Sequence, residues 1–148
     1  MLADLLHPER VRVGLMLRDK EAALRAIASL LTMPERTANE ESVYDVLLER
    51  ERLASTGIGS AVAIPHGRYD GVSELRAAVA VCPAGVDFDA VDRMPVKILV
   101  GIVGPRSMPQ KHLAALAGVS RVLRKDEKRN ALLRAADDAE AYRCLLDP

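Results

Sequence analysis

The sequence contains only three histidines, His7, His66 and His112, so each can be weighed as a candidate for chemistry. His66 follows Pro65, which lacks a backbone N–H donor, and precedes Gly67, which has no Cβ to crowd the ring. Because the apolar run before Pro65 predicts a strand, the imidazole of His66 is expected at a strand end, where α/β sheets place ligands. A neutral imidazole, with an ordinary pKa of about 6.5, is a nucleophile near pH 7 without strong activation.

Two further side chains could hold an anion beside such a nucleophile. His112 is predicted in the first turn of a helix, where free N–H groups and the helix dipole favour a phosphoryl oxygen. Arg50 ends an apolar stripe formed by Val43, Val46 and Leu47, and its guanidinium is a fixed fork for phosphate or carboxylate. A nucleophilic imidazole, a helix N-terminus, a second imidazole and an arginine are together the parts of a phosphohistidine site.

Each of these residues, taken singly, also has a plainer interpretation. His66 fits a structural or merely exposed histidine, and His112 fits a surface residue of a first helical turn. Arg50 fits an arginine whose stem passes apolar neighbours to reach water. His7, beside Pro8 near the N-terminus, fits a surface residue. Spacing alone therefore leaves both interpretations open.

The elements that would position these residues begin with a strand and two helices. Alternating apolar residues over 11–15 predict a short first strand. Asp19 is placed to cap a helix that stops before Pro34, with five apolar residues recurring at helical spacing. Asn39 is placed to cap a second helix that runs to about Arg52, with acidic residues in its first turn.

The middle and the end of the chain continue the alternation of strands and helices. Apolar runs at 61–64, 75–81 and 96–103 predict strands, with turn-rich sequence over 83–95. Ser107-x-x-Gln110 fits a capping box for the next helix, with Pro109 in its first turn. Helical segments at 131–136 and 138–146 complete an α/β sandwich whose central sheet is covered on both faces. The predicted buried stripe of the helix after Gln110 consists of Leu113, Leu116, Ala117, Ser120 and Leu123.

Composition bounds the class of protein. The 148 residues predict one domain over 1–148, and Lys+Arg of 21 against Asp+Glu of 21 gives a formal net charge of zero. A balanced charge disfavours nucleic acid as a partner, and an aromatic content of 3% argues against base-stacking platforms. A hydrophobic share of 49% with 28% charged residues is typical of a folded globular protein.

The sequence shows no sign of a disulfide framework, a membrane span or a cofactor site. Cys82 and Cys144 are too few for such a framework, and Cys82 in an apolar run is expected in the core. No apolar run reaches the roughly 20 residues of a membrane span, and no signal segment is evident, so we expect a cytoplasmic protein. Dispersed histidines and the lone Gly57-Ile58-Gly59 predict neither a metal site nor a nucleotide cofactor.

Longer motifs around the candidate residues resemble a known family, the enzyme IIA domains of the fructose/mannitol class (type 2). These domains belong to the bacterial phosphoenolpyruvate-dependent phosphotransferase system and include the nitrogen-regulatory IIA proteins. Similarity extends from Leu5 to about Leu146, although Ser60 and Ala61 stand where family members often carry another glycine. The motifs that carry the resemblance are Glu49-Arg50-Glu51-Arg52-Leu53, Ser55-Thr56-Gly57-Ile58-Gly59, Ala63-Ile64-Pro65-His66-Gly67, Gly85-Val86-Asp87-Phe88, Ala90-Val91-Asp92 and His112-Leu113-Ala114-Ala115-Leu116-Ala117.

The resemblance implies a site, a fold and partners. It implies that His66 is phosphorylated by phospho-HPr or its nitrogen-type counterpart, that Arg50 and His112 hold the phosphate, and that the central sheet is mixed. A regulatory IIA would control a kinase, transporter or regulator through its phosphorylation state. A sugar-transport IIA would pass the phosphoryl group to a separate IIB domain. The absence of IIB and IIC segments favours the regulatory role, and intact His66, Arg50 and His112 disfavour a degenerate domain that only binds partners.

Overall fold

Six β-strands form one sheet in the computed structural model, which describes residues 2–36 and 38–147. Their order across the sheet is β1-β5-β6-β3-β2, and β4 also pairs with β6. The strands are β1 (Val11–Arg12), β2 (Gly57–Gly59), β3 (Val62–Ala63), β4 (His66–Arg68), β5 (Arg76–Val86) and β6 (Val96–Gly104).

The helices begin where the sequence places capping side chains. Asp19 accepts the backbone N–H of Ala22, and Asn39 accepts that of Ser42, which confirms both predicted N-caps. No helix in the described ranges is long and apolar enough to cross a bilayer. The α-helices are α1 (Leu2–Leu5), α2 (Lys20–Leu31), α3 (Glu40–Leu53), α4 (Pro109–Leu123), α5 (Asp126–Arg134) and α6 (Asp138–Leu146), and Pro8–Arg10 forms a short 3-10 helix.

The sheet is mixed, and helices cover both of its faces. β5 and β6 pair antiparallel at its centre, while β1 runs parallel to β5, and β3 and β4 run parallel to β6. Along β5, Ala78 and Ala80 belong to the cluster under α2 and α3, while Ala77, Val79 and Val81 belong to the cluster under α4, α5 and α6. This alternation with a period of two confirms the predicted α/β sandwich.

One edge of β6 carries two short strands in succession. The predicted strand over 61–64 narrows to β3, and the chain pairs with β6 again from His66 onward. Between them the carbonyl of Pro65 accepts the N–H of Ile102 at 3.0 Å. Pro65 has no N–H to give to the ladder, so it interrupts pairing without ending it. His66 is therefore the first residue of β4 and not the residue after a strand end.

Two strands differ in length from their prediction. The first covers only Val11–Arg12, because the N–H of Val13 is donated to Oδ1 of Asp138 and the chain then turns at Gly14, which takes a φ of 68°. β5 instead continues to Val86, through a segment that the sequence predicts as turn-rich. Pro83 lies between Val81 and Val86, where the register of the pairing with β6 shifts, and such an irregularity accommodates a residue that has no N–H to donate.

Helix α4 corrects two predictions about its start and its buried face. Met108 is the N-cap and supplies no side-chain hydrogen bond, so the capping box at Ser107 is wrong, although Pro109 does occupy the first turn. The buried face carries His112, Val119 and Leu123, whereas Leu113 is 69% exposed. The buried stripe includes a histidine, and a pattern based on apolar residues alone therefore predicts Leu113 in place of the neighbouring His112.

Candidate functional site

An open cleft of about 470 Å³ lies at the β4 edge of the sheet, lined by residues of α3, β4 and α4. Its lining includes His66, His112 and Arg50, so the structure brings together all three predicted site residues. Arg50 comes from the helix layer on one face of the sheet and His112 from the layer on the other. His7 is not in this cleft, and its ring caps the 3-10 helix by accepting the N–H of Glu9.

The ring of His66 is half-buried and fixed in one orientation. Its Nδ1 lies 2.7 Å from the carbonyl oxygen of Ile64. A carbonyl can only accept, so Nδ1 carries the proton and donates it to Ile64. In the neutral ring, Nε2 then holds the free lone pair, and this nitrogen is the nucleophilic one.

The surroundings of His66 keep its ring neutral. Burial lowers the pKa of His66 below its ordinary value of 6.5, and the hydrogen bond to Ile64 partly opposes that shift. The positive charge of Arg50 lowers the pKa further, while the negative charge of Glu51 raises it slightly. The neutral, nucleophilic form therefore predominates at pH 7.

His112 is a buried wall of the cleft, only 4% exposed. Burial lowers its pKa to about 4, with help from the charges of His66 and Arg68. Its Nδ1 is fully buried and has no hydrogen-bond partner among the described residues. Such an atom is costly to leave unpaired, so it marks a position where the fold retains a polar group for a reason other than stability.

Arg50 stands at the last turn of α3, with its guanidinium directed by a local hydrogen bond. Its Nη1 donates to the carbonyl oxygen of Ala54 at 3.0 Å. Val43 and Leu47 on the same face are fully buried, which confirms that the apolar stripe packs inward and that Arg50 occupies its partly exposed end. The remaining donors of the guanidinium can meet an anion in the cleft.

Gly67 allows α3 to approach β4 closely. A Cβ at this position would lie 2.2 Å from Cγ1 of Val46, so no other residue fits unless Val46 moves. This close packing brings the turn that carries Arg50 next to His66. The Pro65-His66-Gly67 motif thus positions the ring and the helix together.

The sequence did not indicate four residues that shape the cleft. Arg68 and Arg106 add two exposed cations to its lining, and Arg106 is held by Asp70 through Nη1 at 3.0 Å and through its backbone N–H at 2.8 Å. Leu53 and Leu113, 81% and 69% exposed, form an apolar rim. Arg68 pairs in register with Gly104, a relationship between distant parts of the chain that no local pattern reveals.

The turn that precedes β2 serves the fold and not the cleft lining. Ser55 donates its hydroxyl to the carbonyl of Phe88, and the amide and hydroxyl of Thr56 both donate to Glu51. Neither residue lines the cleft around His66. Ser60 and Ala61 take φ angles of 57° and 65°, the left-handed region that glycine adopts without strain.

The sequence of this chain is similar to curated nitrogen regulatory proteins and to EIIA components of sugar phosphotransferase systems. A curated nitrogen regulatory protein from Bradyrhizobium diazoefficiens is 35% identical over 146 residues, covering 98% of this chain and 94% of the relative. A fructose-specific EIIA component from Haloferax volcanii is 38% identical over 116 residues, 78% of this chain and 75% of that protein. Both alignments extend well beyond the motifs that line the cleft.

Solved structures agree with the sequence relatives. The nitrogen regulatory protein IIA-Ntr of Neisseria meningitidis superposes with a TM-score of 0.87 at 27% identity, covering 97% of both chains. The mannitol IIA of Escherichia coli, at 23% identity and a TM-score of 0.80, shares the fold. The family model for EIIA 2 of the phosphoenolpyruvate-dependent sugar phosphotransferase system matches residues 4–147. The chain therefore belongs to the EIIA 2 family, phosphotransferases that carry a phosphoryl group on a histidine.

Proposed function

We propose that this IIA protein accepts a phosphoryl group on Nε2 of His66 from the phosphohistidine of an HPr-class donor. One observation carries the proposal: Nδ1 of His66 is committed to the carbonyl of Ile64, which leaves Nε2 as the bare nitrogen of a ring in an open cleft. We propose further that residues 1–148 form one IIA domain and act in the cytoplasm, which suits the two free cysteines Cys82 and Cys144.

The transfer step needs no group beyond the two imidazoles and the phosphoryl itself. The Nε2 lone pair of His66 forms the new N–P bond while the N–P bond of the donor breaks, and the donor ring leaves with that electron pair. His66 keeps its Nδ1 proton, so positive charge develops on its ring as the bond forms. The carbonyl of Ile64 faces that N–H and stabilises the charge without removing the proton.

The cleft supplies the electrostatic stabilisation that phosphoryl transfer requires. Charge on the equatorial oxygens is met by the guanidinium of Arg50, with Arg68 and Arg106 as further cations of the lining. His112 stays neutral because its pKa is about 4, so its ring can donate one hydrogen bond without adding a further positive charge to the cleft. Arg50 and Arg106 are held by Ala54 and Asp70 before the donor arrives, which lowers the reorganisation needed in the transition state.

The rim of the cleft suits contact with another protein. Leu53 of α3 and Leu113 of α4 are large, exposed apolar side chains that line the cleft. An apolar rim around a cationic centre favours a partner that presents a phosphoryl group from an apolar surface of its own. The same rim would receive the donor and then the acceptor or target in turn.

We propose a nitrogen-type regulatory role, in which the phosphorylation state controls contact with a kinase, transporter or regulator. Two relatives named nitrogen regulatory protein, from Bradyrhizobium diazoefficiens and Pseudomonas aeruginosa, cover 98% and 99% of the chain, and the chain covers 94% and 95% of their own lengths. The alternative is transfer to a separate IIB domain, as the solved complex of Escherichia coli enzyme IIA mannitol with phosphorylated IIB suggests by analogy.

A reconstituted phosphorylation assay tests the proposal. The protein is incubated with phosphoenolpyruvate, enzyme I and HPr or its nitrogen-type counterpart, and its intact mass is measured before and after mild acid. We expect one acid-labile phosphoryl group on the wild type and none on His66→Ala. Acid-labile phosphate retained by His66→Ala would contradict the assignment. Subsequent transfer to a purified fructose- or mannitol-type IIB domain would favour the transport role over the regulatory one.

A further inference from the structure

A buried carboxylate lies just behind the cleft, next to Arg50 in the chain. The side chain of Glu51 is 2% exposed, and Nζ of Lys20 lies 2.9 Å from its Oε1. Both oxygens accept the N–H of Thr56 at 3.0 Å, and Oε2 also accepts the hydroxyl of Thr56 at 2.6 Å. A carboxylate this deep is tolerated only with such partners, so the contacts fix Glu51 and Thr56 relative to each other.

These contacts continue to the ring of His66 without a break. The carbonyl oxygen of Thr56 accepts the N–H of Ile64 at 2.9 Å. The carbonyl oxygen of Ile64 in turn accepts Nδ1–H of His66 at 2.7 Å. Glu51 is thus connected to the ring of His66 through Thr56 and Ile64, and a hydrogen bond joins each residue of this path to the next.

The hairpin between Thr56 and Ile64 needs an anchor of this kind. Its strands, β2 and β3, are only three and two residues long, and a two-stranded ribbon of that size has little stability of its own. Its turn includes Ser60 and Ala61 in left-handed conformations. Glu51 holds the base of the hairpin at Thr56, and so determines where the carbonyl of Ile64 points.

We infer that Glu51 is a positioning residue for the phosphoryl acceptor: through Thr56 and Ile64 it holds the ring of His66 in the Nδ1–H tautomer. The inference rests on the proposed role of His66 as acceptor. Glu51 touches neither the cleft nor the phosphoryl group, so its effect on transfer is indirect. Lys20 forms an ion pair with this buried carboxylate, and its Nζ also lies 3.5 Å from Oδ2 of Asp89.

Glu51→Gln tests the inference without changing the shape of the side chain. The glutamine amide keeps one acceptor oxygen, but its NH₂ group is a donor. This group would face the N–H of Thr56 and the ammonium of Lys20, which are donors themselves. We expect the ¹⁵N shifts and long-range couplings of the unphosphorylated His66 ring to show loss of the Nδ1–H tautomer. The initial rate of phosphorylation should fall roughly 10- to 100-fold, the range for a misplaced reacting group.

The Thr56 hydroxyl offers a matched pair of milder variants. Thr56→Val removes one hydrogen bond to Glu51 and should slow phosphorylation about fivefold, with a smaller change in the His66 ring signals. Thr56→Ser keeps the hydroxyl and should restore both the rate and the ring signals. A Thr56→Ser variant as slow as Thr56→Val would contradict the inference, because the hydroxyl would then be irrelevant.

A control for lost stability completes the test. Leu145→Ala removes a buried side chain in the core on the other face of the sheet and does not touch the hydrogen-bonded path. It should lower the free energy of unfolding while leaving the His66 ring signals unchanged. Glu51→Gln protein that is less stable but keeps wild-type ring signals and rate would assign Glu51 a purely structural role. The ring signals need no phosphoryl donor, so this result is independent of whether His66→Ala abolishes phosphorylation.

Discussion

The imidazole rings of His66 and His112 lie with their centroids 5.8 Å apart and their planes inclined by 54°, and hydrogen bonding differs sharply between them. His66 gives its Nδ1–H to Ile64, whereas Nδ1 of His112 is buried without a partner in the described chain. A proton on either ring opposes a proton on the other, which favours two neutral rings. The arrangement leaves Nε2 of His66 bare and gives this ring an uncharged neighbour, which suits the proposed role of His66 as acceptor.

Replacing His112 by leucine should separate stability from function. Leucine has a similar volume and removes the unpaired buried nitrogen, so we expect the free energy of unfolding at neutral pH to rise by about 1 kcal/mol. The initial rate of His66 phosphorylation should fall about 10- to 100-fold, because one fixed donor to the phosphoryl oxygens is lost. Urea unfolding and the reconstituted phosphorylation assay measure the two effects. A destabilised variant with a normal rate would show that His112 serves packing alone.

Stability should decrease as the pH falls below the ordinary range of histidine. The pKa of His112 is about 4 in the folded protein, so the unfolded chain binds its proton first as the pH drops from 6.5. The stabilising contribution is complete above pH 6.5 and is lost progressively down to about 4. Lowering the pH from about 7.5 to about 5.5 should reduce the free energy of unfolding by roughly 1 kcal/mol through this group alone. The lowered pKa of His66 acts in the same direction.

The same leucine variant isolates the contribution of His112 to this pH dependence. Urea unfolding of wild type and His112→Leu at both pH values gives the change in the free energy of unfolding with pH for each protein. This change should be smaller for the variant. Carboxylates titrate mainly below this window, so they contribute little to the difference. The same pH dependence of the free energy of unfolding in both proteins would mean that His112 does not titrate with a depressed pKa.

The features that could be predicted from the sequence are those that local chemistry determines. Asp19 and Asn39 cap their helices through side chains three residues from the N–H that they accept. The motif around His66 indicated both the family and a ring held next to a glycine. The apolar runs predicted a sheet that is covered on both faces, and this prediction did not require the order of the strands.

The features that could not be predicted depend on contacts between distant parts of the chain. Arg68 and Arg106 share the cleft because β4 pairs with the end of β6, and Glu51 meets Lys20 across two helices. The prediction placed Leu113 in the core because apolar periodicity does not distinguish a buried stripe from an exposed rim. His112, the polar residue on the truly buried stripe, was excluded from it by the same rule.

Gly67 should be essential for its close contact with Val46. Gly67→Ala would place a Cβ 2.2 Å from Cγ1 of Val46 and push α3 away from β4. We expect a loss of about 1 to 3 kcal/mol in the free energy of unfolding, together with slower phosphorylation as Arg50 moves from His66. Val46→Ala in the same chain removes the clashing atom and should recover part of both losses. Strictly additive effects of the two substitutions would contradict this steric explanation.

The apolar rim should govern partner affinity and not the chemical step. Leu113 is 69% exposed beside the cleft, so Leu113→Gln should leave the free energy of unfolding within about 0.5 kcal/mol of the wild type. The KM for the phosphorylated donor should rise about tenfold while kcat changes little, because the lost contact forms before transfer and persists through it. Met16→Gln is the matched control, since Met16 is 89% exposed and does not line the cleft. An equal rise in KM for both variants would mean that general surface apolarity, and not the rim at Leu113, binds the donor.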